Sequence, residues 1–257
     1  MTTTPEAYVH LSTDETTLTF YYDTLRADRD GTTWGIWDKK GYDGSIPAWV
    51  SDCYPPNITV LVAVFDASFR DFRPTTTARW FYLLKLLKSI EGLEHLNTSQ
   101  VTDMRGMFKG CRYLTALDLS KCPKLEMIAC INNGLTKLDV TMSSKLSVLY
   151  CYRNKLTELQ LRGCAWLTEL SCGKNYLTAL DFTGCHSLRT AYCCDNDFSY
   201  AATEDLYRSL PDRTTEEEPG HIFILNEDAL PPGRTGAGNE GIATQKHWEV
   251  LWCRGDW

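Results

Sequence analysis

Between residues 114 and 197, the apolar positions of the chain recur every 21 residues. Leucine fills the first and fourth positions of each unit, cysteine the seventeenth and asparagine the twentieth. A fixed period of this length, kept over four copies, indicates stacked structural repeats. The four units are Leu114–Gly134, Leu135–Lys155, Leu156–Tyr176 and Leu177–Asp197.

One such unit cannot bury its own apolar face, so neighbouring units must stack and share a continuous core. The pattern therefore predicts a leucine-rich-repeat solenoid, β-rich, with short helices or turns on its convex side. The asparagine column, Asn133, Asn154, Asn175 and Asn196, lies where each strand ends. There the side-chain amide can bond backbone groups of its own and adjacent coils, so we expect a ladder that fixes the register.

The strand before each asparagine leaves alternate side chains free of the core, because successive residues on a strand point to opposite faces. These outward positions vary between units, whereas the inward columns do not. They combine aromatic and apolar groups with a charged border, a composition typical of protein-binding surfaces. The candidate partner-binding residues on this concave face are Tyr150, Tyr152, Arg153, Glu169, Lys174, Tyr192 and Asp195. The alternative is an ordinary sheet face whose tyrosines cover one another.

Non-repeating segments flank the units, and we interpret them as caps, because bare ends would expose apolar surface and strand edges. Residues 1–76 form an N-terminal β-rich cap, and residues 198–257 form the C-terminal cap. The repeats occupy residues 77–197, in a degenerate form over 77–113 and a regular form over 114–197. All three parts are expected to make one continuous folded unit.

Local signals predict further elements outside the regular units. The expected elements are a hairpin of Ala7–Ser12 and Leu18–Tyr22, a buried strand over Ile58–Phe65, short helical segments over 77–84 and 102–109, a helix over Thr203–Leu210 with Thr203 as N-cap, strands over His221–Asn226 and Trp248–Trp252, and a loop over Glu227–Gly241.

Charge and hydropathy narrow the classes of function. The chain carries 26 basic and 33 acidic residues, a net charge of −7, whereas nucleic-acid-binding proteins usually present a basic patch. Its apolar runs fall short of the roughly 18 residues of a membrane-spanning helix. Its first residues lack the basic and apolar regions of a signal peptide. The expected location is the cell surface or the medium after removal of an export signal, with the cytoplasm as the alternative.

The eleven cysteines are expected to be reduced and structural. Four fill a repeat column, and three more share a second column in which Ser143 takes the remaining place. Cysteine packs in such positions as a small hydrophobic residue. There is no C-x-x-C pair, and the histidines are scattered, so zinc-ligand spacing is absent. A partial carboxylate column, Asp118, Asp139 and Asp181, lacks the regular spacing of calcium ligands.

No catalytic motif is present, neither G-x-S-x-G nor H-E-x-x-H nor a phosphate-binding loop. We therefore expect a non-enzymatic protein without a cofactor. The aromatic segment 33–56, which carries Trp34, Trp37, Tyr42, Trp49 and Tyr54, is expected to pack inside the N-terminal cap. A glycan site built on these rings is the alternative.

Residues 97–120, NTSQVTDMRGMFKGCRYLTALDLS, resemble the repeat of BspA-type bacterial leucine-rich-repeat proteins. The segments LTFYYD at 18–23 and SFRDFRPTTTARWF at 68–81 are similar to the part that precedes those repeats. The 21-residue units, such as LTELQLRGCAWLTELSCGKNY, resemble the internalin-like repeats of Bacteroidetes surface proteins. The resemblance implies a non-enzymatic surface or secreted protein that binds host proteins, matrix or other cells.

Taken together, these features predict a protein-binding module that mediates adhesion or host interaction through its concave sheet. Two other functions stay open at this point: glycan binding through the N-terminal aromatic residues, and an intracellular scaffold or interaction protein. Neither nucleic acid nor a membrane span is expected.

Overall fold

The structure is a computed structural model that describes residues 4–40, 46–52, 59–117, 119, 122–226 and 238–253. Several sequence predictions fall outside these residues. They are Asp118 of the carboxylate column, Tyr42 and Tyr54 of the aromatic segment, the start of the Ile58–Phe65 strand, and most of the Glu227–Gly241 loop.

Each regular unit contributes one short strand to a parallel sheet. The strands start 21 residues apart and pair in register, so that Leu149 lies beside Ile128 on one side and Leu170 on the other. Three further strands extend the sheet at its two ends, which makes seven strands in the described chain. In chain order they are β8 (Asp103–Met104), β9 (Met127–Ala129), β10 (Val148–Tyr150), β11 (Glu169–Ser171), β12 (Thr190–Tyr192), β13 (Gly220–Asn226) and β14 (Trp248–Cys253).

The inward columns form one core. Leu149 and Leu170 on the strands are fully buried, as are Cys151 and Cys172, which follow on the same face. The leucines at the first position of each unit are also buried. Stacking lets each unit complete the apolar surface of the next, and the columns predicted from the period are confirmed.

The predicted asparagine ladder is confirmed. Asn154 Nδ2 donates to the carbonyls of Cys130 and Cys151, both at 2.9 Å, and Asn154 Oδ1 accepts from the Leu135 amide at 3.2 Å. Asn175 and Asn196 repeat these three bonds one and two coils later. Each amide thus joins two coils, and a slip in register would leave its buried groups unpaired.

The residue before each ladder asparagine has a left-handed backbone. Asn132, Arg153, Lys174 and Asp195 have φ between 54° and 59°. This conformation turns the chain out of the strand and presents the asparagine amide to the strand carbonyls. It is uncommon for residues other than glycine, asparagine and aspartate, so the stacked coils must impose it on Arg153 and Lys174.

The N-terminal part forms a second sheet, of strand order β3-β1-β2-β6-β7. The β1–β2 hairpin is confirmed, and β2, β6 and β7 pair in parallel. Rings fill the core beneath this sheet: Phe20 stacks on Phe65 and Trp80, and Trp49 Nε1 donates to the Trp80 carbonyl at 2.9 Å. The elements are β1 (Glu6–Leu11), β2 (Thr17–Asp23), β3 (Thr32–Gly35), β4 (Lys39–Lys40), β5 (Ile46–Pro47), α1 (Ala48–Asp52), β6 (Val62–Phe65) and β7 (Ser89–Glu91), with 3₁₀ turns at Arg26–Asp28, Ala67–Asp71 and Leu93–His95.

The predicted helical segments over 77–84 and 102–109 are wrong. Alternate amides of the first segment bond to carbonyls of the second, from Thr77 to Asp103 and from Phe81 to Met107, instead of closing helical turns. Arg79 and Leu83 have φ of 62° and 59°, which a right-handed helix excludes. Stacking between coils has overridden the local helical pattern, and β8 starts where the second helix was expected.

The C-terminal part does more than cover the last coil. β13 pairs in parallel with β12, and β14 pairs in parallel with β13, so the sheet continues beyond the repeats. The strands predicted over 221–226 and 248–252 are confirmed. Helix α2 spans Tyr200–Ser209 and a short helix, α3, spans Gly241–Thr244. The predicted N-cap is wrong: Ser199 caps α2 by accepting from the Ala202 amide, and Thr203 lies buried within the helix.

The cysteines fall into two kinds. Eight are buried free thiols, and burial raises the pKa of Cys130 to about 12. Cys194 and Cys253 form a disulfide with a Cα–Cα distance of 6.4 Å. The expectation of reduced cysteines is therefore wrong for this pair. It failed because the non-repeating C-terminal chain returns to the edge of the repeats, which no spacing in the sequence shows.

Candidate functional site

The outer face of the seven-stranded sheet carries the predicted site residues. All seven are partly or fully exposed, as the alternation of strand residues requires. The register places them in two groups. Tyr150, Glu169 and Tyr192 lie on the strands themselves, and Tyr152, Arg153, Lys174 and Asp195 lie just beyond the carboxyl ends of the strands.

One row across the outer face is rich in aromatic groups. Tyr150 lies opposite Ser171, Ser171 opposite Tyr192, and Tyr192 opposite Phe223. The Tyr192 and Phe223 rings stack with centroids 4.5 Å apart and planes inclined by 17°. Ser171 is the small member of this row, and it separates the Tyr150 ring from the stacked pair.

Glu169 organises the tyrosines beside it. Tyr150 donates its hydroxyl hydrogen bond to the Glu169 carboxylate, and partial burial followed by this contact raises the pKa of Tyr150 to about 12. Partial burial, followed by the charge of Glu169, also raises the pKa of Tyr192. Both hydroxyls are therefore protonated at neutral pH and can donate hydrogen bonds.

The second group follows the strands. The Arg153 guanidinium carbon lies 5.9 Å from the centroid of the Tyr152 ring, within cation–π distance. The Arg153 amide donates to the Gly173 carbonyl, and the Lys174 amide donates to the Cys194 carbonyl. These backbone bonds hold the two basic side chains on adjacent coils. Asp195 continues the same column on the next coil.

Three residues outside the repeats join the same surface and were not among the predicted site residues. Phe223 extends the aromatic row, and His221 Nε2 lies 3.5 Å from Glu249 Oε2 on the neighbouring strand. The sequence showed the strand that carries Phe223, but not its pairing with Tyr192. The parallel pairing follows a connection of 27 residues that breaks the repeat period.

The N-terminal aromatic residues do not form an exposed face in the described chain. Trp34 and Trp49 are buried in the core, as expected for packing. Trp37 is 52% exposed and its ring lies 5.9 Å from that of Phe72. One exposed ring offers little support for the glycan site.

Other features of the described residues point to no further chemistry. They contain no group of three or more histidine, cysteine or acidic residues placed to hold a metal ion. A cavity of about 180 Å³ between the N-terminal part and the first coils is lined mainly by apolar side chains, among them Met104, Met107 and Phe108. No helix in the described ranges has the length and apolar character needed to cross a membrane.

The chain matches no family model and no curated protein sequence. Among solved structures it is similar to the functional domain of InlJ from Listeria monocytogenes, described as including a cysteine ladder, with a TM-score of 0.44 and 22% identity over 65% of this chain and 34% of that one. It is also similar to TLR13 in the TLR13–ssRNA13 complex, with a TM-score of 0.37 and 14% identity over 66% of this chain and 29% of that one. The chain thus spans about a third of each of these proteins. Its leucine-rich-repeat type rests on its own repeat columns and stacked strands.

Proposed function

We propose that the protein is a non-enzymatic module that binds another protein through the outer face of its seven-stranded sheet. The row of Tyr150, Tyr192 and Phe223 supports the proposal most strongly. Tyrosine and arginine are enriched where binding energy concentrates, and this surface presents tyrosines with Arg153 at its border. No packing duty of the core requires rings at these outward positions.

We further propose that the module is exported by a bacterium and acts at the cell surface or in the medium, in adhesion or host interaction. The Cys194–Cys253 disulfide supports export, because such bonds persist in oxidising compartments. The resemblance of residues 97–120 to BspA-type repeats points the same way. An intracellular scaffold is the second candidate, favoured by the eight free thiols, although their burial makes them unreactive in either compartment.

The test compares two double variants in a capture experiment from host-cell and matrix extracts. Tyr150→Ala/Tyr152→Ala removes two rings from the proposed surface. Tyr113→Ala/Tyr176→Ala removes two rings that are 57% and 53% exposed but lie off the sheet strands. The proposal predicts proteins that the wild type and the control capture and that the first variant loses, with both variants folded by circular dichroism. Equal capture by both variants would remove the sheet face from the function.

A further inference from the structure

A trough on the outer face has the shape and charge to hold one planar cation. Its floor is the smallest outward pair on the sheet, Ser171 and Gly173, which follow one another on the third coil. Tyrosines of the neighbouring coils form its walls, and an acidic side chain closes one end. The trough consists of Glu169, Ser171 and Gly173 along the floor, with Tyr150, Tyr152 and Tyr192 at the sides.

The register sets the width of the trough. Tyr150 and Tyr192 are two strands apart, roughly 9.6 Å at the usual strand spacing. The Tyr192 ring lies 4.5 Å from Phe223, close to one strand spacing, so it stands upright over its own strand and does not lean across Ser171. A flat group midway between the two walls would lie about 4.8 Å from each ring, within cation–π distance of both.

The trough is electrically polar along its length. Glu169 lies at one end of the floor, held by the Tyr150 hydroxyl. Arg153 and Lys174 lie beyond the carboxyl ends of the strands, at the opposite end. A cation entering between the rings therefore meets the carboxylate at the end that carries no basic residue of the predicted site. The net charge of −7 adds a general attraction for a basic partner.

We infer that this trough binds an arginine side chain of the protein partner, with its guanidinium between Tyr150 and Tyr192 and its N–H groups on Glu169. This inference rests on the proposed protein-binding function and specifies the chemistry of the partner. Arginine fits because its guanidinium is planar, stacks on aromatic faces and pairs with carboxylates through two parallel hydrogen bonds. The ammonium of lysine is a compact point charge that cannot stack between two walls.

The test uses short probes and needs no known partner. An acetylated, amidated Gly-Gly-Arg-Gly-Gly peptide is titrated into the full chain with ring-¹³C-labelled tyrosine, and the Tyr150 and Tyr192 signals are assigned with Tyr→Phe variants. We expect both signals to shift, with a Kd on the order of 1–10 mM. The citrulline peptide, which is neutral and of similar shape, should bind about tenfold more weakly, because it loses the charge-assisted contact.

Two variants sharpen the test. Ser171→Tyr fills the floor with the residue that the neighbouring coils carry at the same position, and it should abolish the shifts in a folded protein. Glu169→Gln keeps an acceptor for the Tyr150 hydroxyl but removes the charge, and it should weaken arginine binding about tenfold. Equal responses to arginine, lysine and citrulline, or ring signals that do not move at 50 mM arginine peptide, would overturn the inference.

The trough and the proposed function can fail separately. If Ser171→Tyr captures the same proteins as the wild type while Tyr150→Ala/Tyr152→Ala loses them, the sheet face binds a partner and the arginine trough is wrong. If the peptide binds as expected but both double variants capture the same proteins as the wild type, the trough exists and the proposed function is wrong.

Discussion

The regular coils and the C-terminal strands belong to one sheet but are held in different ways. In the coils, a buried asparagine on each unit bonds the carbonyls of two strands, and buried thiols fill the core. β13 and β14 have no such repeat. Arg213, buried beside Trp248, donates to the Leu188 carbonyl of the fourth coil, and the disulfide joins Cys194 to Cys253. A sheet can therefore continue beyond its repeat when specific tertiary bonds replace the periodic ones.

The largest expected effect comes from alkaline pH and acts on the coils. In the unfolded chain a thiol ionises near pH 9.0, whereas burial raises the pKa of Cys130 and Cys185 to about 12 and that of Cys164 to about 11. Above pH 9 the folded state therefore binds more protons than the unfolded state, and stability falls as pH rises. Each buried thiol should remove up to about 1.4 kcal/mol per pH unit, several kcal/mol in sum by pH 10.

Urea unfolding between pH 7.5 and pH 10 measures this slope. Cys164→Ser copies Ser143 at the same place in the preceding coil and removes one titrating thiol, so its slope should be shallower than that of the wild type. Equal stability of the wild type at the two pH values would show that the thiols do not stay protonated in the core.

Asn154→Ala should cost about 4 kcal/mol in the free energy of unfolding. The change leaves the buried Leu135 amide without its acceptor and opens a gap in the core, while the strand carbonyls keep bonds from Asn133 and Asn175. The neighbouring Lys155→Ala is the control, because that side chain is exposed and should change stability by less than about 0.5 kcal/mol. Similar midpoints for the two variants in urea would show that the ladder does not hold the coils together.

Loss of the disulfide should cost about 3 kcal/mol and act on the C-terminal strands. The bond joins residues separated by 59 positions, so it restricts a long loop of the unfolded chain. Cys194→Ser/Cys253→Ser should melt at a lower temperature than the wild type, and dithiothreitol should lower the wild type to the level of the variant without affecting the variant further. A wild type that is insensitive to dithiothreitol would contradict the disulfide.

Ser199→Ala should have the smallest effect, about 1 kcal/mol, because it removes the oxygen that caps α2. Thr203→Ser is the comparison: its hydroxyl bonds the Ser199 carbonyl inside the helix, and serine keeps that bond. If Thr203→Ser costs more than Ser199→Ala, the helix begins where the sequence placed it rather than at Tyr200.

The sequence predicted what periodicity controls and missed what distant pairing controls. Leu149, Cys151 and Asn154 repeat in columns, so their burial and their bonds to neighbouring coils followed from spacing alone. The alternation on each strand likewise placed Tyr150 and Tyr192 on the outer face. These features are local or identical between neighbours, and one unit specifies the next.

The rest depends on contacts that no spacing displays. The pairing of Phe223 with Tyr192 and of Cys194 with Cys253 follows long, non-repeating connections. Residues 77–84 have a helical pattern, yet their amides bond the next coil because stacking buries more than a short isolated helix can. The left-handed backbone of Lys174 is likewise imposed by stacking and cannot be seen in a lysine by itself.

The central claim is that the outer face of the sheet meets another protein, and site-specific photo-crosslinking tests it most directly. Benzoylphenylalanine replaces Tyr152 on that face or, as a matched control, the exposed Tyr113 off the sheet. The account predicts a covalent adduct with the captured partner from position 152 and none from position 113. An adduct from position 113 with none from position 152 would place the binding surface elsewhere and contradict the account.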